Sequence, residues 1–254
     1  DAATITDQEY KDFYRKLFPM DPEPLFWLHL NVDHPFTLQG ILYFPKVNMQ
    51  KPVQDHGIKL YCKQVFVSDN VKNVLPEFLS LLKGAMDSTD IPLNVSRSAL
   101  QGDPNVKKIS NYVIKKVAEG IKKLANSDRS RYEQVWEDIS LFVKYGCVSD
   151  TKFDEIAQGY VLFKNSENKL VTLDEYTTAI PETYKEKMKE KILTHDAQTG
   201  DESLRKQLLA VGLHAITLDQ MIDPHFTQHA EMHSKDDKKI KFSTVETEIE
   251  NLLE

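Results

Sequence analysis

The sequence predicts an α/β chain, built as an α/β/α layered domain, a short helical connector and a second, smaller α/β domain. Three observations carry that expectation. Runs rich in aromatic and branched residues at 26–30, 37–44 and 58–67 read as strands. Ile109, Val113, Val117, Ile121 and Leu124 recur at the spacing of one helix face. Polar breaks at 126–130 and 165–168 then divide the chain, which places the expected domains at 1–127, 128–165 and 166–254.

The elements follow in order. Thr6 stands three residues before Glu9, a capping box for a helix carrying Tyr10, Phe13, Tyr14 and Leu17. Pro19, Pro22 and Pro24 end it. Phe26–Leu30 and Thr37–Phe44 form a hairpin about the turn Asp33-His34-Pro35, and Trp27 inside the first strand is read as core. Residues 45–57 are polar with two prolines, an exposed loop. Ile58–Val67 reads as one long strand, followed from Asp69 by a helix with Leu75, Phe78, Leu79 and Leu82 on its apolar face. Asp103-Pro104 is a strong helix start, an acceptor cap before a first-turn proline. Tyr132–Tyr145 and Lys152–Phe163 read as connector helices. The remainder suggests short helices at 174–176, 181–192 and 202–211, a strand at 214–218, and a closing Lys- and Asp-rich loop.

Composition excludes several classes. With 41% hydrophobic and 28% charged residues the chain has ordinary globular balance. A net charge of -7 and a pI near 5.7 argue against a nucleic-acid binder, which needs a basic field. The lysine pairs at 107–108, 115–116 and 122–123 lack interleaved stacking aromatics and read as a solvated helix face. Two distant cysteines, Cys62 and Cys147, suit buried thiols in a reducing compartment rather than a disulfide scaffold. No apolar run is long enough to span a bilayer, so no membrane partner is expected. Asp1-Ala2-Ala3-Thr4 is neither a signal peptide nor an initiator start, and a piece of a longer protein is expected.

The stretch 87–101 carries the most chemistry. Asp90-Ile91-Pro92 end one helix and aim the chain outward, and Arg97 follows on a loop held between two ordered helices. Its guanidinium is a permanent cation with a fork suited to phosphate oxygens. On composition alone the competing reading is a surface arginine paired with Asp87, Asp90 or Asp103.

Leu93-Asn94-Val95-Ser96-Arg97, preceded by Gly84–Pro92 and closed by Leu100-Gln101, resembles the signature of the middle domain of the ninety-kilodalton heat-shock chaperones. Asp7–Tyr10 with Phe13-Tyr14, Gly40–Pro45, Ile58–Tyr61, Val65–Val67 and Leu75–Leu79 resemble further landmarks of that domain in the same order. The likeness is specific over 6–124, weaker through 145–146 and 172–176, and thin after Glu202. The short loop at 45–57 resembles the bacterial branch.

The resemblance implies that Arg97 reaches the γ-phosphate of ATP held by a separate N-terminal domain, with Gln101 at the same interface and Asn94 as a supporting contact. It implies Mg with that ATP, a C-terminal dimerisation domain, a cytoplasmic homodimer, non-native client proteins and cochaperones. Ser98, where the family commonly has an acid, and Gly102-Asp103-Pro104 depart from the usual form. There is no phosphate-binding Gly-x-x-x-x-Gly-Lys loop, so neither bound nucleotide nor ATPase activity is expected of this chain alone.

Other constellations weigh less. His225, His229 and His233 share a spacing of four, as zinc ligands sometimes do, but Pro224 and the polar stretch after Ser234 count against a long helix there, and no metal is expected. Phe226 and Met232 suit either an exposed client-binding patch or a core anchor, and Asp223-Pro224-His225-Phe226 departs from the family's form. No Gly-x-Ser-x-Gly elbow supports a hydrolase. The expectation is therefore a chaperone middle segment. An interaction module of the same fold with a merely structural Arg97 is the alternative, and a metal-dependent enzyme on the three histidines comes third.

Overall fold

The computed structural model describes residues 2–46, 57–92, 100 and 102–254. They form two compact units, Asp1–Phe142 and Val143–Glu254, and both are α/β as expected.

The first unit is built on a five-stranded mixed sheet of order β1-β2-β5-β3-β4. Its strands are β1 (Phe26–Val32), β2 (Leu38–Phe44), β3 (Ile58–Cys62), β4 (Val65–Ser68) and β5 (Lys83–Asp87). Only β3 and β5 run parallel among these neighbours. The expected capping box closes helix α1 (Asp7–Leu17): Thr6 accepts from the Glu9 N–H, and Glu9 accepts from the Thr6 N–H at 2.7 Å. Those bonds hold the Glu9 carboxyl below its usual value. Helix α1 lays Tyr10 and Tyr14 on one sheet face, where Tyr10 stacks on Trp27 at 5.3 Å and the Tyr43 hydroxyl donates to the Tyr10 carbonyl at 2.7 Å. Trp27 is thus partly buried against that cluster.

The opposite face carries Leu30, Leu38, Leu42, Phe44, Leu60 and Met86, all buried. Helix α2 (Pro104–Ser127) buries Ile109, Val113, Val117 and Ile121 as its spacing predicts, with Asp103 capping Asn105 and Val106. A Cβ at Gly120 would lie 2.5 Å from Leu28 Cδ2, so the bare glycine lets helix and strand approach. The paired lysines lie mostly on the exposed side of this helix.

Two readings of this unit are corrected. Ile58–Val67 is two strands, because Lys63 (φ 51°) and Gln64 (φ 65°) make a two-residue hairpin turn. No Asn-Gly or Asp-Gly pair announces it. The helix expected from Asp69 to Leu82 is a set of turns with a 3-10 segment at Glu77–Leu81, and Leu75, Phe78, Leu79 and Leu82 are buried within it. Strand β5 follows, though Lys83-Gly84-Ala85-Met86-Asp87 contains no branched or aromatic residue. Gly84 has φ 146°, and a Cβ there would lie 2.0 Å from the Ile41 carbonyl oxygen. Gly84→Ala is therefore expected to cost about 2–3 kcal/mol through strain and overpacking, read as a lower urea midpoint.

The second unit centres on a three-stranded parallel sheet of order β10-β8-β9. It comprises β8 (Lys191–Asp196), β9 (Ile216–Leu218) and β10 (Lys241–Thr244), with helices α6 (Glu202–Ala210), α7 (Asp223–Met232) and α8 (Val245–Leu253). The chain enters it through α3 (Arg129–Ser149), α4 (Thr151–Ala157), the small hairpin β6–β7 (Phe163–Lys164 and Leu170–Val171) and α5 (Leu173–Thr178). Cys62 and Cys147, one in each unit, are both free and buried.

The helix expected at 181–192 is only a 3-10 turn at Glu182–Tyr184, and β8 begins at Lys191. Ile192 to His195 are buried consecutively, the pattern of a parallel strand covered on both faces. The expected closing loop instead contains β10 and α8.

These elements give unit 2 an acid dependence. Lys191 holds the Glu248 carboxyl below its usual value, and the Asp201 N–H does the same for Glu246. Their contribution to stability is complete above the ordinary carboxylate value and is lost as pH falls through the lowered folded values. Glu248→Gln is expected to flatten the fall in melting temperature between about pH 5 and 3, where these carboxyls protonate.

Candidate functional site

Asn94, Arg97 and Gln101 lie outside the described residues. What the structure supplies is the frame that holds both ends of their segment. On one side, β5 delivers the chain at Asp87, pairing with Gln39 of β2 and Tyr61 of β3. Ser88 is buried, its hydroxyl donating to the Thr37 carbonyl at 2.6 Å. Asp90 accepts from the Thr37 N–H at 2.7 Å, and Ile91 is again buried. On the other side, the Asp103 N–H donates to the Leu100 carbonyl at 3.2 Å, and α2 begins at Pro104.

The three carboxylates flanking Arg97 in sequence all have local work. Asp87 Oδ2 accepts from the Gln64 N–H at 2.6 Å, which fixes the β3–β4 turn. Asp90 Oδ2 accepts from the backbone and hydroxyl of Thr37. Asp103 Oδ1 accepts from Asn105 and Val106 at 2.8 and 3.1 Å, which satisfies the first turn of α2.

Beside this frame, the part of the sheet face that α1 leaves open holds a groove of about 550 Å³. Ile41, Ala85 and Tyr61 line it together with Phe13 and Leu17 of α1 and the acidic Asp87. Phe13, Val65 and Phe66 are exposed apolar side chains of this unit.

Two of the three histidines come together. His225 is exposed; the His229 and His233 rings stack at 4.1 Å, and His229 Nε2 lies 3.1 Å from Asp154 Oδ2. Burial, and then the neighbouring Asp154, push the Cys147 thiol well above its usual value. Among the described residues no group of three or more His, Cys, Asp or Glu is arranged to hold a metal ion. Helix α7 does form over this stretch, with Pro224 accommodated in its first turn, where no N–H is needed. Phe226 is a fully buried anchor, whereas Met232 is 73% exposed, so the two do not share a patch.

Comparison with known proteins decides the family. The family model described as Hsp90 protein matches residues 1–250. The chain belongs to the Hsp90 family. Chaperone protein HtpG of Porphyromonas gingivalis is 43% identical over 99% of this chain, and that of Bacteroides thetaiotaomicron is 42% identical over 99%. The chain spans about 36–37% of the length of these relatives. The middle domain of a Plasmodium falciparum heat shock protein superposes with a TM-score of 0.74 at 21% identity, covering 96% of this chain and 97% of that one. The chain is thus a middle domain of the Hsp90 chaperones, on the bacterial HtpG side of the family.

Within the Hsp90 frame, the residue that sequence reasoning missed is Thr37. Its neighbours Ser88, Thr89 and Asp90 were visible as a polar run, but their partner depends on the register of β2 against β5, which includes Gln39 opposite Asp87. The buried Lys144–Asp223 ion pair of unit 2 was equally hidden, since its members stand 79 residues apart.

Proposed function

We propose that this middle domain supplies Arg97 to an ATP molecule held by a separate N-terminal domain of the longer protein. The observation that carries the reading is the run from Asp87 to Gln101, set in a chain of the Hsp90 family. Asp87, Asp90 and Asp103, the partners that the alternative reading would give Arg97, each accept local hydrogen bonds through one oxygen.

The chemistry follows from the side chains. In phosphoryl transfer, charge spreads over the oxygens of the transferred group, and an arginine brought up on domain closure stabilises it. Gln101 and Asn94 would line the same contact by hydrogen bonding. Mg would accompany the ATP in the N-terminal domain. Hydrolysis then depends on conformation, because the arginine is delivered by a different domain from the one that binds nucleotide. By itself this chain would turn over no ATP.

Non-native client proteins are the proposed cargo, in a cytoplasmic homodimer closed by a C-terminal domain and served by cochaperones. Exposed Phe13, Val65 and Phe66 in unit 1, and Met221 and Met232 in unit 2, are among the apolar side chains available to such clients. The test of the arginine reading is ATP turnover and ATP affinity of the full-length protein with Arg97→Ala. Turnover should fall while affinity holds, and unchanged turnover would reduce Arg97 to a surface cation.

A further inference from the structure

The β2–β5 ladder includes the pair Gln39 and Asp87. Continuing the register sets Thr37 against Thr89, beyond the last residues of both strands. There side chains take over from the ladder. The Thr37 and Thr89 hydroxyls lie 2.6 Å apart, and the Thr89 N–H donates to Thr37 Oγ1 at 3.1 Å. Thr37 Oγ1 lies 3.0 Å from Asp90 Oδ2, which also accepts the Thr37 N–H. Ser88 Oγ donates to the Thr37 carbonyl and accepts the Asp90 N–H at 3.2 Å.

One proton assignment satisfies every group. A threonine hydroxyl has one hydrogen to donate and two lone pairs to accept with. Thr37 donates its proton to the Asp90 carboxylate and accepts both the N–H and the O–H of Thr89. The hydroxyl bond to Asp90 is charge-assisted, as is the Thr37 N–H bond to the same carboxylate.

The clasp is also fixed from behind on both sides. Phe36 and Leu38, the neighbours of Thr37, are buried, and the Phe36 ring meets Tyr112 of α2 edge-on at 5.8 Å. Ser88 and Ile91, which follow β5, are buried on the other side. Thr37 itself is only part-buried and Thr89 is exposed, so water can replace much of what the hydroxyls contribute to stability. What water cannot replace is the direction in which the chain leaves β5, whose last residue stands six before Leu93 and the segment that carries Arg97.

We infer that Thr37 is a positioning residue for ATP turnover: its hydroxyl clasp on Thr89 and Asp90 sets the exit of β5 and through it the aim of Arg97. The inference rests on the reading of Arg97 given above. A displacement of about 1 Å at a reacting group can cost on the order of a hundredfold in rate, so a loosened exit is expected to show in turnover before it shows in stability.

The experiment uses the full-length protein with Thr37→Val, Thr37→Ser, Arg97→Ala and the Thr37→Val/Arg97→Ala double variant. Thr37→Val, which keeps the shape and removes the hydroxyl, is expected to lower kcat by about tenfold. ATP affinity should stay within about twofold, and Thr37→Ser should restore kcat to within about twofold of the parent. The double variant should turn over ATP no more slowly than Arg97→Ala alone, because Thr37 acts through that arginine. Thr89→Val, on an exposed side chain, gives the same direction with a smaller loss if Thr37→Val folds poorly. Parent-like kcat in the Thr37→Val and Thr89→Val proteins overturns the inference, as does a serine variant no better than valine or a double variant slower than Arg97→Ala. If Arg97→Ala itself leaves kcat intact, the reading of Arg97 fails and this inference fails with it. Loss in Arg97→Ala with none at Thr37 removes the positioning role alone.

Discussion

Arg97→Ala in the full-length protein is expected to lower kcat for ATP hydrolysis by about a hundred- to a thousandfold, the range for removing a cation or donor aimed at developing charge. Affinity for ATP should change little, because in the function proposed above the nucleotide is held by a separate N-terminal domain. The loss therefore falls on kcat and kcat/KM together, the pattern of an interaction made in the transition state rather than in the ground state. Arg97→Lys sharpens the test. Lysine keeps the charge but loses the planar fork, so it should recover only part of the rate. Full rescue by lysine would mean that the positive field alone matters, and parent-like turnover with alanine would leave the arginine without a catalytic part. Steady-state turnover at saturating ATP, with nucleotide affinity measured separately on the same proteins, gives both readings.

How much of this was legible in the sequence depends on how local the signal is. Helix α1 announces itself through Thr6 and Glu9, three residues apart, and α2 through five apolar residues on one face behind Asp103-Pro104. The hairpin β1–β2 is equally plain, since its strands are aromatic and branched and its turn is polar. Strand β5 is not, although it sits in the middle of the sheet. Its place rests on Gly84, which admits the Ile41 carbonyl, and that is a tertiary fact without a local mark. The turn at Lys63-Gln64 is hidden for a related reason. Both residues take left-handed backbone angles at a local cost that the Tyr61–Phe66 and Cys62–Val65 pairs across the hairpin offset. In unit 2, β8 follows a lysine- and glutamate-rich run that reads as helix, and its four buried residues make sense only between β9 and β10. Asn94, Arg97 and Gln101 stand out through family likeness. Composition by itself offered Arg97 three carboxylate partners, and only the structure reveals that these already accept other bonds. Thr37 needed the strand register before it could be noticed at all.

Lys144→Met is expected to destabilise unit 2 by about 3–5 kcal/mol, the cost of leaving a buried charge without its partner. Side-chain exposure is 3% for Lys144 and 0% for Asp223. The ammonium donates to Asp223 Oδ1 at 2.5 Å and to Gln220 Oε1 at 3.1 Å, and it stands 4.7 Å from the centre of the Phe163 ring. Asp223 Oδ2 accepts the Asp219 and Gln220 N–H groups, both at 3.0 Å, at the start of α7. Methionine fills most of the lysine's volume, so the loss measures charge more than packing. The carboxylate would keep its two backbone donors and lose the Lys144 ammonium. Pairing Lys144→Met with Asp223→Asn separates the terms: the amide oxygen can still accept from the backbone, and no charge is stranded. The double variant should therefore be more stable than Lys144→Met alone, a coupling that a double-mutant cycle reads directly. With urea m-values of about 1–3 kcal/mol per molar, the single variant should move the transition of unit 2 down by roughly 2 M. A shift under about 0.5 M, on the same m-value scale, would mean that water or a rearranged Gln220 satisfies Asp223, and the ion pair would then have no large part in holding α7 to α3.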